Sequence, residues 1–440
     1  MPLNDCPTLN PSNPPRIPAE AYEASAGMRS GHCSPVTYGG RTLAILSLLM
    51  AFASISTDLY LPALPAMKAS LHTNAGSLEF TISGFLLGFG LGQLIWGPIG
   101  DQYGRRWPVA VGLLLFISGS AGCALSSSVG TMIGWRLVQA LGASASVVLA
   151  RAMVRDLYEG HRAVQVLSTL MTVMAIAPLA GPSVGSAILN VASWRAIFWT
   201  LTGVGLATLL ALLALPETLP RERRGTGGLA SALRTYRELL KNRRLLGYAG
   251  ACGFLYAGTF AYVAASPFAY ITYYQVSPHH YGILFAANII GIMATSQANA
   301  RLVSRFGSDR LLRWGAFAAA IAGIALGTNA KFGWGGLLGL ALPLFIFISS
   351  TGFIVANSLA GAMQGFPERA GAVSALVGCI QYGSGMFGSG MVGLFSDGTP
   401  WPLGWVTAAS SVCVLLCVWL LIPAASRRNT VSAPTDREET

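Results

Sequence analysis

Two side chains carry charge inside long apolar runs of this sequence: Asp58, in SISTDLYLPALP, and Arg136, in GWRLVQALGASAS. An ionisable group in hydrocarbon costs about 2.5–3.5 kcal/mol on insertion scales, so each demands a reason. Counting about 1.5 Å per residue along two oppositely directed helices brings them to similar depth. There they read as partners beside an aqueous cavity. Asp58 would exchange a proton, its protonation decided by burial against the neighbouring cation. An ion pair that only fixes helix packing would leave the same trace. A third acid, Glu79, lies near the end of an apolar run. It reads either as a residue in interfacial water or as part of a proton access path.

A second group of residues is clustered rather than isolated. The apolar GFLLGFGLGQLIWGP runs directly into IGDQYGRRWP, which packs Gly97, Gly100, Asp101, Gly104, Arg105 and Arg106 into ten residues. So abrupt a change suits a helix that has just left a bilayer, not a soluble amphipathic helix. Asp156 is expected to pair with Arg105 and join two helix ends, while Arg151 and Arg155 near it can snorkel to water. In APLAGPSVGS, Gly181 and Gly185 allow close backbone approach, and Pro178 and Pro182 remove backbone donors. The segment reads as a hinge or seal, or as packing alone. Tyr60, Gln139, Tyr256, Asn288, Asn357 and Gln381 are candidates to line a substrate cavity, although mid-membrane Asn and Gln also tie helices together. The second half has no charge deep in a helix, which suits a lipophilic substrate better than a sugar.

These residues need membrane helices to position them. The chain has 440 residues, 53% hydrophobic and 10% charged, against roughly 25% charged in an average soluble domain. Apolar runs long enough to cross about 30 Å of hydrocarbon fall at 42–64, 78–99, 107–126, 131–154, 164–189, 195–215, 246–268, 279–301, 311–328, 333–357, 370–395 and 402–423. The expected fold is all-α with twelve transmembrane helices in two six-helix pseudo-repeats, residues 41–216 and 246–425. A basic linker, 217–245, joins them, and tails 1–40 and 426–440 flank them. ARLVSRFGSDR repeats the hairpin between the second and third runs of the second half, aligning Gly307 with Gly104. Lys and Arg gather in alternate connections, which places both termini in the cytoplasm. The first 40 residues read as a disordered Pro-rich tail, and Met28 is an alternative start.

The net charge of +11 is scattered between apolar runs rather than forming a basic face, so nucleic acid is not an expected partner. Seven cysteines show no ligand spacing, and neither a metal nor another cofactor is expected. The absence of a Walker-type motif and of a convincing nucleophile motif points to a gradient-driven transporter and away from an ATP-driven pump or an enzyme.

With those motifs in hand, the chain resembles the major facilitator superfamily from about residue 41 to 425, and within it the twelve-helix drug/proton antiporters of the Bcr/CflA group. GPIGDQYGRR is similar to the superfamily's motif between the second and third helices, RLVQALGAS to its fourth-helix motif and AGPSVGS to the antiporter motif of the fifth. TDLYLPALP, WRAIF, LPETLP and YAGTFAYVAASPFAYI are typical of the Bcr-like group. The resemblance implies proton-coupled export of drug-like compounds, of bicyclomycin or chloramphenicol type, across a bacterial inner membrane by alternating access. Asp58 would bind the proton, Arg136 would modulate it, and Asp101, Arg105 and Asp156 would lock the cytoplasmic gate. Small lipophilic or amphiphilic substrates, protons and the bilayer are the expected partners, and a monomer suffices. A proton-linked transporter of a natural metabolite, such as an amino acid or sugar, is the alternative.

Overall fold

The computed structural model describes residues 40–158, 160–225 and 227–422, and no strand occurs among them. The expected tails, apart from Gly40, lie outside the described residues, as do Met28, Cys6 and Cys33. The first half comprises α1 (Gly40–Asp58), α2 (Ala75–Tyr103), α3 (Arg106–Leu125), α4 (Val129–Leu157), α5 (Gly160–Val191) and α6 (Trp194–Leu212). A linker helix, α7 (Gly228–Leu239), follows. The second half comprises α8 (Arg243–Pro267), α9 (Pro278–Phe306), α10 (Ser308–Phe332), α11 (Gly336–Ser349) with α12 (Thr351–Gln364) as one span, α13 (Ala370–Leu394) and α14 (Trp401–Leu416). Ten of these spans are long and apolar enough to cross a membrane among the described residues. The other two of the expected twelve are α5 and α13, helices of 32 and 25 residues. Gly and Ser dilute the hydropathy of α13.

Helix ends follow local chemistry. Asn74, Ser128 and Asn242 cap α2, α4 and α8, each side-chain oxygen accepting a hydrogen bond from a backbone N–H three residues on. The first helix ends at Asp58, although the span it opens continues to Ser70 and so contains the expected end at residue 64. Pro62 and Pro65 in TDLYLPALP start short helical turns, Leu61–Ala63 and Leu64–Ser70. Conversely, α2 runs on to Tyr103, so only Gly104 and Arg105 separate it from α3. The reversal uses Gly104 at φ +91°, and Gly307 at φ +79° makes the corresponding reversal between α9 and α10.

The two halves meet along α2 against α13 and α5 against α9. Small residues bring the backbones together: a Cβ on Gly76 would overlap the Gly393 carbonyl, and Ser83 Oγ lies 2.8 Å from Ser389 Oγ. Within the first half, Gly88 presses on the Leu137 carbonyl in the same way.

Candidate functional site

Arg136 is fully buried inside the first half. Its Nη1 donates to the Ser56 carbonyl at 2.9 Å and to Gln139 Oε1 at 2.6 Å, and Gln139 Nε2 donates to Ser120 Oγ at 2.7 Å. The guanidinium lies 4.4 Å from the ring centres of both Tyr60 and Phe85, and 6.0 Å from that of Phe198. Nε and Nη2 have no hydrogen-bond partner, so these rings are what compensates that edge of the cation. Tyr60 and Gln139 therefore serve Arg136 within one half, where the sequence suggested cavity lining. Tyr60 Oη also pairs with Thr81 Oγ1 at 3.1 Å.

Asp58 is not the partner of Arg136: no ion pair joins them among the described residues. It is the last residue of α1, 6% exposed, and turns toward α5 and the second half. A Cβ on Gly181 would sit 2.9 Å from Asp58 Cβ, and one on Gly185 would overlap the Leu59 carbonyl. Gly181 and Gly185 thus seat α5 on the end of α1, with Pro178 and Pro182 inside the same helix. Across the interface the charge of Asp58 reaches Tyr262 and Tyr281. Asn288 Nδ2 donates to Tyr262 Oη at 2.8 Å, and Tyr281 Oη lies 3.2 Å from Ser266 Oγ. Asn288 therefore belongs to the Asp58 surroundings. Asn357 does not: it ties α12 to α9 through Asn299 Oδ1 at 2.6 Å.

Glu79 is not in interfacial water. It is 2% exposed, and its Oε2 has no partner. It lines a small cavity of about 80 Å³ between the halves, with Lys68, Thr272, Tyr273, Ser396 and Thr399.

At the opposite end, Arg105 joins three segments. Its Nε donates to Asp156 Oδ2 at 2.8 Å and its Nη1 to Asp101 Oδ1 at 2.7 Å. Glu217, which sequence reasoning missed as a functional group, completes the cluster. Its carboxylate accepts from the backbone N–H groups of Arg105 (2.8 Å), Arg106 (3.3 Å), Thr218 (3.0 Å) and Leu219 (3.1 Å). Burial alone pushes its pKa up, but the four N–H donors outweigh burial and hold it below the ordinary carboxylate value. A lone acid among the prolines of LPETLP, just before a basic linker, was the available signal. Arg106 Nη2 donates to the Leu213 carbonyl at 3.0 Å. Nothing packs within 4 Å of where a Cβ on Gly97 would stand.

Tyr256 and Gln381 lie where the halves face each other, beside Tyr382, and all three keep part of their surface open. Arg155 is exposed, as a snorkelling residue should be. Arg151 is not: it is half-buried, with Tyr382 and Tyr256 of the other half as electrostatic neighbours. No group of three or more His, Cys, Asp or Glu suited to a metal occurs among the described residues.

An all-helical fold of spanning helices in two halves, with buried charges at their junction, defines a membrane transporter. Residues 46–389 match the Major Facilitator Superfamily, and the chain belongs to that family. It is a multi-pass membrane transporter and not an enzyme. Among its relatives, the bicyclomycin resistance protein homolog of Haemophilus influenzae is 30% identical over 381 residues, covering 86% of this chain and 95% of that protein. The chloramphenicol resistance protein of Pseudomonas aeruginosa is 31% identical over 391 residues, covering 86% and 90%. The crystal structure of a D-xylose-proton symporter shares the fold at a TM-score of 0.68 and 16% identity, covering 87% of this chain and 98% of that one.

Proposed function

We propose that this transporter is a proton-coupled antiporter that exports drug-like, lipophilic or amphiphilic compounds across a bacterial inner membrane, as a monomer with both termini in the cytoplasm. The observation that carries the reading is Asp58. It is a carboxylate shut away from water and from any cation among the described residues, seated on Gly181 and Gly185 where the halves meet. An ionised group there has no counter-charge among the described residues, so proton uptake and separation of the halves are linked. When the outer contacts Gly76–Gly393 and Ser83–Ser389 part, Asp58 and Glu79 meet water and exchange protons. Arg136, caged by rings and by Gln139, holds α1 and α4 together and fixes the local field without neutralising Asp58. Arg105, Asp101, Asp156 and Glu217 lock the cytoplasmic ends. Relatives named for bicyclomycin and chloramphenicol resistance support compounds of those types as substrates.

The test uses everted vesicles, acidified inside and followed with a pH-sensitive dye. Bicyclomycin or chloramphenicol should release protons from the lumen, and Asp58→Asn should abolish the release. If neither drug moves protons while an amino acid or sugar does, the protein is a metabolite transporter instead.

A further inference from the structure

Four aromatic rings form one patch across the interface of the halves. Tyr382 of α13 lies 4.4 Å from Phe89 of α2, 5.6 Å from Tyr256 and 6.1 Å from Phe260 of α8, between ring centres. A cation lies beside this patch: Arg151 of α4 interacts electrostatically with Tyr382 and Tyr256, makes no salt bridge among the described residues, and has a sealed Nε with no hydrogen-bond partner. The other two deeply placed arginines are compensated: Arg136 by rings and carbonyl oxygens, Arg105 by two carboxylates. Arg151, Tyr256, Gln381 and Tyr382 all retain open surface although they lie within the spans, so each is open to a molecule that enters between the halves. A guanidinium left without a counter-group in such a place is costly unless a ligand supplies one.

We propose that Arg151 is the anion-recognising element of the substrate site. It holds the carboxylate or other strongly polarised acceptor group of an aromatic substrate whose rings pack on Tyr256 and Tyr382. This rests on the export reading and narrows it: aromatic acids and neutral aromatic compounds with acceptor groups are favoured, and permanent lipophilic cations are disfavoured. Asp58 also reaches Tyr382 electrostatically, but it is buried at the end of α1 against Gly181 and offers a substrate little surface, so it is not the competing anchor.

The test measures binding to purified protein of 1-pyrenebutyrate, its methyl ester and tetraphenylphosphonium. A charge-assisted hydrogen bond in a partly dry site predicts about tenfold or more tighter binding of the acid than of the ester. Arg151→Gln should bring that ratio close to one and strengthen binding of tetraphenylphosphonium, while Arg151→Lys keeps part of the acid's advantage. Equal binding of acid and ester by the parent protein overturns the proposal without any variant having to fold. So does an undiminished ratio in Arg151→Gln. Export fails separately: vesicles that move none of the neutral drugs sink the efflux reading and leave the binding ratio standing.

Discussion

Replacing Arg105 by Gln removes one side chain from two carboxylates that the structure makes unequal. The Arg105–Asp156 pair is 2.8 Å long, with side chains 7% and 17% exposed. The Arg105–Asp101 pair is 2.7 Å long, but Asp101 is 62% exposed. Exposed pairs contribute about 0.2–1 kcal/mol, whereas hydrogen bonds to charged groups away from water contribute about 1.5–3 kcal/mol. Double-mutant cycles built from Arg105→Gln, Asp156→Asn and Asp101→Asn, read by unfolding in mixed micelles, should therefore give a larger coupling for Asp156. The expected values are about 1.5–3 kcal/mol for Asp156 and below about 1 kcal/mol for Asp101. Added salt should weaken the Asp101 coupling first. A coupling to Asp101 as large as that to Asp156 would refute the assignment of Asp156 as the main anchor of the hairpin.

Four further outcomes are expected. Glu217→Ala should cost about 0.5–2 kcal/mol, the range for a lost helix cap, toward the low end because the carboxylate is 31% exposed. Since its folded pKa lies below the ordinary value, the stability it adds is present at neutral pH and is lost as pH falls through that folded value. Unfolding of the Ala variant should be less pH-dependent in the acid range. Gly185→Val should force α5 off the Leu59 carbonyl at a cost of about 1–3 kcal/mol or more. Gly97→Ala, with nothing nearby, should stay within about 0.5 kcal/mol in the same unfolding assay. Arg136→Lys should destabilise by about 2 kcal/mol or more, because a point-charge ammonium cannot reproduce a planar group held by two rings and two oxygens.

Length, hydropathy and turn chemistry made much of the fold legible in advance. Apolar runs located the helices, and Gly104 and Gly307 marked matching reversals in the two halves. The hairpin trio was also readable, because Asp101 and Arg105 are four residues apart and Asp156 follows a basic run. Azimuth was not. Helical rise places Asp58 and Arg136 at one depth, but nothing in their spacing says that Arg136 turns toward the Ser56 carbonyl and the Phe85 ring while Asp58 turns toward Gly181. Tyr60 and Gln139 were misread for the same reason: a polar group in a membrane helix faces either a cavity or another polar group, and only packing decides. Glu217 was hidden by separation, since it lies 112 residues from the Arg105 backbone it caps. Arg151 looked able to reach water because its depth was known and its neighbours, Tyr256 and Tyr382, were not.

The most direct measurement of proton coupling at Asp58 uses proteoliposomes with an acidic lumen and radiolabelled chloramphenicol outside. Parent protein should accumulate the drug in the lumen against its gradient, as protons leave, and stop when the pH difference is collapsed. Asp58→Asn, verified as folded by gel filtration, should accumulate none. Equal accumulation by both proteins would contradict Asp58 as the proton carrier.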